Sequence, residues 1–392
     1  MKHARTRAVE HAPNRPLRLM GAVIAGGLLI SGCGGTDGEA SAETPSVASG
    51  PADPASCQDV TLSFIGLEGE EGQVELESWR AEHGVQLDSS WPGDWTQMIS
   101  AITVGQSYDL ATIPYHQAQR MIAAEIVQPI DTSRLANWDS LVPGLREAGS
   151  LRGPDGQVYG VPLIWGDGPF VFAPERVAED EIPNGIKDLL EPEWKGRFVL
   201  NDSPDLPFYL LGLANGFDAP NLSAEELETV AAQSKMLVAN AAAFTPSYED
   251  ATERLVSGDV DLALGGWEAM LTWAAEDGVT LDYGFFDEGT FGWWDGMAIP
   301  STAENVDCAY AYIDALISPE VNAELATNLV SGAVNVDAID LVSGDAQIYD
   351  YDLVRNELPD GAFESVTPPE NPEEGIASYQ DWVDAWQQVK AG

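Results

Sequence analysis

Apolar and polar residues alternate strictly over Val60-Thr61-Leu62-Ser63-Phe64, the two-residue period of a half-buried strand. Glycines at 66 and 72 break that pattern, and residues 73–83 change to helical spacing, with Leu76 and Trp79 on one side. A short strand is expected at 85–87 and a helix over Trp95–Thr103, where Met98, Ile99 and Ile102 group together. A further strand at 109–113 runs into Pro114-Tyr115-His116. Apolar runs at 160–167, 198–200 and 260–264 each end in a cluster of polar or aromatic residues: Trp165-Gly166-Asp167, Asn201 to Asp205, and Trp267-Glu268. Ser223 and Glu226 form a capping box that opens a helix with Leu227, Val230, Leu237 and Val238 on one face. Val306–Leu316 has helical spacing, Ser318-Pro319 opens another helix, and Tyr379, Trp382, Val383, Trp386 and Val389 form a stripe on a terminal one. Strands alternating with helices predict an α/β fold with a mostly parallel sheet. Ligands of such sheets sit beyond the strands' carboxyl ends, which nominates 66–70, with Glu70, and 114–116, with Tyr115 and His116.

The segment 291–300, FGWWDGMAIP, holds two of the chain's 12 tryptophans beside an acid. Trp293 and Asp295 are two apart, so on an extended backbone both side chains leave the same face. An aromatic plane beside a carboxylate suits an organic cation, through the ring quadrupole and a charge-assisted hydrogen bond. The plainer alternative is that one of Trp293 and Trp294 is core and Asp295 a turn residue.

Residues 1–32 have the composition of a secretory leader: Lys2, Arg5, Arg7, Arg15 and Arg18 precede an apolar run from 19 to 30. That run is too short to span a bilayer. Ile30-Ser31-Gly32-Cys33 resembles a lipobox, so Cys33 is expected to carry lipid, and the small, polar residues 33–56 are expected to tether the folded chain outside the cell. Cys57 and Cys308 remain, free to form a disulfide or to stay as buried thiols. The formal net charge is −46, and removal of the basic leader makes it more negative, which excludes a nucleic-acid partner. With 44% hydrophobic residues the chain is not disordered; such an acidic surface fits a saline or alkaline habitat, where salt screens self-repulsion.

Taken together, the lipobox and the runs GQSYDLATIP (105–114), YGVPLIWGDG (159–168), EPEWKGRFVLND (191–202), SGDVDLALGGW (257–267), WWDGMAIPSTAENVDCAYAYIDALISPEV (293–321) and the terminal QQVKAG resemble the substrate-binding proteins of ABC importers, and among them the spermidine/putrescine-binding family. That resemblance implies a two-lobed, type II periplasmic-binding-protein-like fold with a ligand cleft between lobes, a monomer, a polyamine or other small cation as ligand, a membrane permease as partner, and no cofactor, metal or catalysis. It places crossings between lobes near 162–165 and 293–299, with lobe 1 at 57–162 plus 297–345 and lobe 2 at 163–296 plus 346–392. It implies that Trp267, Trp293 and Asp295 hold ligand, with Trp165 lining the cleft. Other family positions differ: the aromatic pair after the first strand falls at Leu67 and Glu70. The two acids after the Phe198 strand fall at Ser203 and Leu206, where Asp202 and Asp205 are near enough to substitute. The tyrosine expected around 331–335 is missing.

Other function classes are weighed against these residues. A Ser/His hydrolase lacks its parts, since His83 and His116 are the only histidines after the leader and no Gly-x-Ser-x-Gly occurs. A glycosidase needs a specific carboxylate pair, which so acidic a chain offers anywhere on paper. Tryptophan platforms also suit sugars, and amino acids or phosphonates are alternative ligands. An iron binder would want adjacent tyrosines, which Tyr310 and Tyr312 are not.

Overall fold

The structure is a computed structural model and describes residues 50–92, 95–351, 366–368 and 372–392. The expected leader, Cys33 and the tether up to residue 49 lie outside the described residues, as do 352–365 and 369–371 of the acidic, proline-rich stretch. Two sheets organise what is described.

The larger sheet contains Thr61–Ile65 (β1), Gln86–Ser90 (β2), Leu110–Pro114 (β3) and Val161–Asp167 (β4). The smaller holds Phe170–Phe172 (β5), Phe198–Asn201 (β6), Ala243–Thr245 (β7), Leu262–Leu264 (β8) and Asp282–Gly284 (β9). Gly292–Ala298 (β10) and Gly332–Ala333 (β11) then return to the larger sheet. Strand order is β11-β4-β10-β3-β1-β2 in one sheet and β7-β6-β8-β5-β9 in the other. Within each, only part is parallel: β1 runs with β2 and β3, and β6 with β7 and β8, whereas β10, β4, β11, β5 and β9 pair antiparallel. The expected mostly parallel sheet is therefore mixed. β10 and β11 run against the other strands of the larger sheet and β5 against those of the smaller, and hydrophobic runs do not reveal direction.

Both β4 and β10 lie wholly in the larger sheet, so the chain leaves it after Asp167 and returns at Gly292. The sequence-based crossings, at 162–165 and 293–299, fall inside these strands instead. Ala346 and Tyr349 pack with residues of the larger sheet's lobe, whereas Trp382, Trp386 and Val389 of the terminal helix, Tyr379–Ala391, join the smaller sheet's core. Residues 346–351 thus belong with lobe 1 and not with lobe 2.

Alternation along β10 sorts its side chains. Trp294 is fully buried and donates its indole N–H to Ser150 Oγ at 3.2 Å, while Trp293 and Asp295 on the other face are only partly buried. The plain alternative thus holds for Trp294 alone. Opposite Asp295 the ladder slips: Asp295 pairs with Ile164 and Gly296 with Pro162, which leaves Leu163 as a bulge. The Leu163 carbonyl is taken by Asn322 Nδ2 at 2.8 Å. A Cβ at Gly296 would overlap Val161 O, so only glycine permits the backbones to come this close beside Asp295.

Cys57 and Cys308 are bonded, with Cα atoms 4.8 Å apart, tying the start of the described chain to the helix Val306–Leu316. Among the described residues no helix is long and apolar enough to cross a membrane.

Candidate functional site

Side chains from both sheets face each other around β10. Trp293 lies over Gly166 of β4, where any Cβ would overlap its ring, and its indole N–H donates to Asp167 O at 3.0 Å. Trp267, just beyond β8, meets Trp293 edge to face at 6.4 Å between centroids. Behind Trp267 stand Trp273 at 5.4 Å and Tyr248 at 5.9 Å, the latter opening the helix Tyr248–Ser257. Past β3, Tyr115 is held by its own N–H on Trp294 O at 2.9 Å and stacks on Phe291 at 6.0 Å. Tyr209, from the helix Asp205–Ala214, closes on Phe291 at 6.3 Å.

Carboxyl groups sit among these rings. Burial pushes Asp295 up to about 7, against the pull of a hydrogen bond from Glu70. Glu70, 3% exposed in the turn after β1, is held well above the usual carboxylate range, by burial first and then by the charge of Asp295. Its Oε2 accepts from Thr112 Oγ1 at 2.6 Å. Asp205 is raised to about 6 by burial, and its Oδ1 is enclosed without a hydrogen-bond partner. Tyr115 is raised by burial and by the charges of both Asp205 and Asp295. His116 packs against Tyr115 and Trp95, at 5.2 and 5.6 Å, and burial lowers it to about 4, so it is neutral at pH 7. Among the described residues no ion pair joins a lysine or arginine to Glu70, Asp205 or Asp295.

The structure therefore gathers Trp293, Asp295, Trp267, Tyr115, Asp205 and Glu70, with His116 behind Tyr115. Two nominated residues lie elsewhere. Asp202 is exposed and bonded to Lys390 Nζ at 2.7 Å and Trp386 Nε1 at 2.8 Å, so it anchors the terminal helix. Trp165 is buried, donates to Ala333 O at 2.8 Å and packs against Tyr349 and Tyr351; it is core and does not line the site. Side chains alternate along β4, and the face of Trp165 is that of Trp294.

Tyr209, Tyr248 and Phe291 escaped sequence reading. Phe291 opens the very segment singled out, and Ser247, the N-cap of Tyr248's helix, marks a strand-to-helix junction of the kind that lines such sites. A second acid contact, Asp167 with Glu268, lies beside Trp267. Burial, then Asp167, raises Glu268 to about 10, and Tyr349 donates to its Oε2 at 3.1 Å. Tyr310 and Tyr312 lie away from the site. The former's hydroxyl accepts from Asp131 N–H and the latter's donates to Glu71 O, both at 2.7 Å. Among the described residues no group of His, Cys, Asp and Glu is placed to hold a metal ion.

A profile described as bacterial extracellular solute-binding protein matches residues 81–348. The spermidine/putrescine-binding periplasmic protein of Escherichia coli (strain K12) is 26% identical over 270 residues, spanning 68% of this chain and 76% of its own. The putrescine-binding periplasmic protein PotF of the same strain is 25% identical over 254 residues, 61% of this chain and 68% of its own. Among solved structures, the spermidine/putrescine ABC transporter substrate-binding protein PotD of Streptococcus pneumoniae superposes with a TM-score of 0.70 at 20% identity, over 84% of this chain and 98% of its own. At that identity the likeness speaks for the fold alone.

Proposed function

The chain belongs to the bacterial extracellular solute-binding proteins, with their two-lobed type II fold, and we propose that within that family it captures a small aliphatic amine, a diamine or polyamine, and hands it to an ABC permease in the membrane. The observation that carries this reading is Asp295: a partly buried carboxyl, ringed by Trp293, Tyr115 and Tyr248 and faced by Trp267, with no lysine or arginine paired to it among the described residues. An ammonium leaving water needs an ionised partner, and its methylenes gain by lying along flat indole faces. Asp205, whose charge also reaches Tyr115 and whose Oδ1 is unpartnered, is the natural partner for a second ammonium. The role is binding, not catalysis. Cys33 would hold the protein to the outer face of the cell membrane through lipid, leaving the folded part free to meet the permease.

A thermal-shift screen of the purified chain against putrescine, spermidine, amino acids, sugars and phosphonates tests the ligand class. A bound amine at a hundred times its dissociation constant adds about 2.7 kcal/mol to stability, a readily seen rise in Tm. A response to sugars alone overturns the amine reading.

A further inference from the structure

Glu70 stands where the resembling family has an aromatic residue, and its surroundings define a specific role. Thr112 Oγ1 accepts from Leu67 N–H at 3.3 Å, which leaves the threonine's own proton for Glu70 Oε2 at 2.6 Å. Thr112 shares a face of the sheet with Pro114, the ladder partner of Asp295, so the Glu70 carboxyl held by Thr112 stands beside that of Asp295, where the two can hydrogen-bond. Two ionised carboxylates are acceptors only, so a hydrogen bond between them requires a proton on one. The other groups around the pair bring no positive charge: Glu71 shares Glu70's turn, Tyr115 and neutral His116 follow β3, Asp205 and Tyr209 come from one helix and Tyr248 from another. The two acids are not equivalent toward the cleft. Tyr115 and Tyr248 both feel the charge of Asp295, which is only partly buried, whereas Glu70 is 3% exposed. Asp295 therefore faces the rings, and Glu70 stands behind it.

We propose that Glu70 and Asp295 share one proton, so that the pair meets its ligand as a single negative charge, with Glu70 the donor that aims the Asp295 carboxylate and so matches this end of the site to one ammonium. The inference rests on the amine reading above and deepens it. One proton on two carboxyls leaves a charge of minus one, which one ammonium neutralises with nothing expelled. A divalent cation would have to drive the proton out, so this end disfavours it. Further acidification puts a second proton on the pair and removes the charge. Asp295 is held at about 7, so affinity for an amine falls as the pH drops through that value. Glu70 acts through Asp295 and is a positioning residue.

Glu70→Gln tests this, because glutamine keeps the donor and the shape and lacks the second ionisable group. Calorimetry with putrescine and spermidine on the full chain at pH 8 should find the Gln variant within about tenfold of the parent. Asp295→Asn should lose about a hundredfold or more. On acidification from pH 8 to 5.5, affinity should fall over the same pH range in the parent and in Glu70→Gln, since one neutral donor to Asp295 replaces another. A fall moved to lower pH in Glu70→Gln would mean that Glu70 is charged in the parent and would overturn the shared proton. Equal losses for Glu70→Gln and Asp295→Asn would mean that both acids meet the ligand ionised, and would overturn the shared proton. A ligand-free measurement separates this from the ligand reading: the infrared difference between parent and Glu70→Gln at pH 7 should contain a protonated carboxylic acid band. If that band is absent, the inference fails whatever the ligand. If it is present while no amine binds, the shared proton stands and the amine reading falls.

Discussion

Asp202 accepts from Lys390 Nζ at 2.7 and 3.0 Å, which fastens the end of β6 to the terminal helix and takes this acid out of the ligand site. Trp386 Nε1 adds a third bond to it at 2.8 Å. Asp202→Asn should leave amine affinity unchanged and lower stability by about 1 kcal/mol or less, since the ion pair is largely solvent-screened. Asp205→Asn, one helix turn on and inside the site, should weaken spermidine binding in the same calorimetric assay. Equal effects of the two on affinity would contradict this division.

Trp267 and Trp293 meet edge to face across the site, so removing either ring opens the cover over Asp295. Trp267→Ala should weaken amine binding by about 1–3 kcal/mol, and Asp295→Asn by ~2–5 kcal/mol, because the latter leaves a cation unpaired. The control is Glu228→Gln, on the exposed side of the helix Ala224–Asn240. If that variant cost as much as Asp295→Asn, the net acidity of the chain would be attracting the amine and the local site would not.

The Cys57–Cys308 bond closes a loop of 251 residues, and its main effect is to restrict the unfolded chain. Replacing both cysteines with serine should lower stability in urea by roughly 5–6 kcal/mol in the chain-entropy account. Thiol titration of the denatured, unreduced protein should count neither Cys57 nor Cys308.

Glu268 couples stability to pH. Its folded pKa, about 10, lies above its unfolded value, so over the interval between them the folded state holds a proton that the unfolded state has lost. Stability from this group is therefore intact in acid and declines as the pH rises. His116, lowered to about 4 by burial, works in the other direction: between pH 6.5 and 4 the unfolded state binds the extra proton, and stability falls on acidification. Melts should therefore decline from pH 6 toward pH 9. Glu268→Gln keeps a donor for Asp167 and an acceptor for Tyr349, and should flatten the alkaline limb by a few kcal/mol at most. An unchanged slope between pH 6 and 9 would mean that another group controls it.

Cys33→Ala should release the chain from membranes or leave it unprocessed; unchanged mass and membrane retention would refute lipidation at this residue.

Much of the architecture was readable because it is written in short periods. The alternation at 60–64, the Ser223–Glu226 capping box and the stripe through Trp382 and Trp386 each specify an element within a few residues. The shared face of Trp293 and Asp295 followed from the same two-residue period. Asp202 and Asp205 were harder, since both follow β6 closely. Only the helix that begins at Asp205 separates them, carrying one into the site while the terminal helix captures the other.

Residue order alone dictated where strands and helices form, which face of β10 carries chemistry and that the protein is acidic, because each depends on neighbours in the chain. It did not dictate strand direction, the places where the chain passes between sheets, or the meeting of Glu70 with Asp295 and of Trp267 with Trp293. Those depend on sheet order and register. In β10 the bulge at Leu163, and the glycine that lets the backbones touch beside it, help decide where Asp295 points. Burial then raises the carboxyls well above their ordinary range, and burial belongs to the packed chain and to no residue alone.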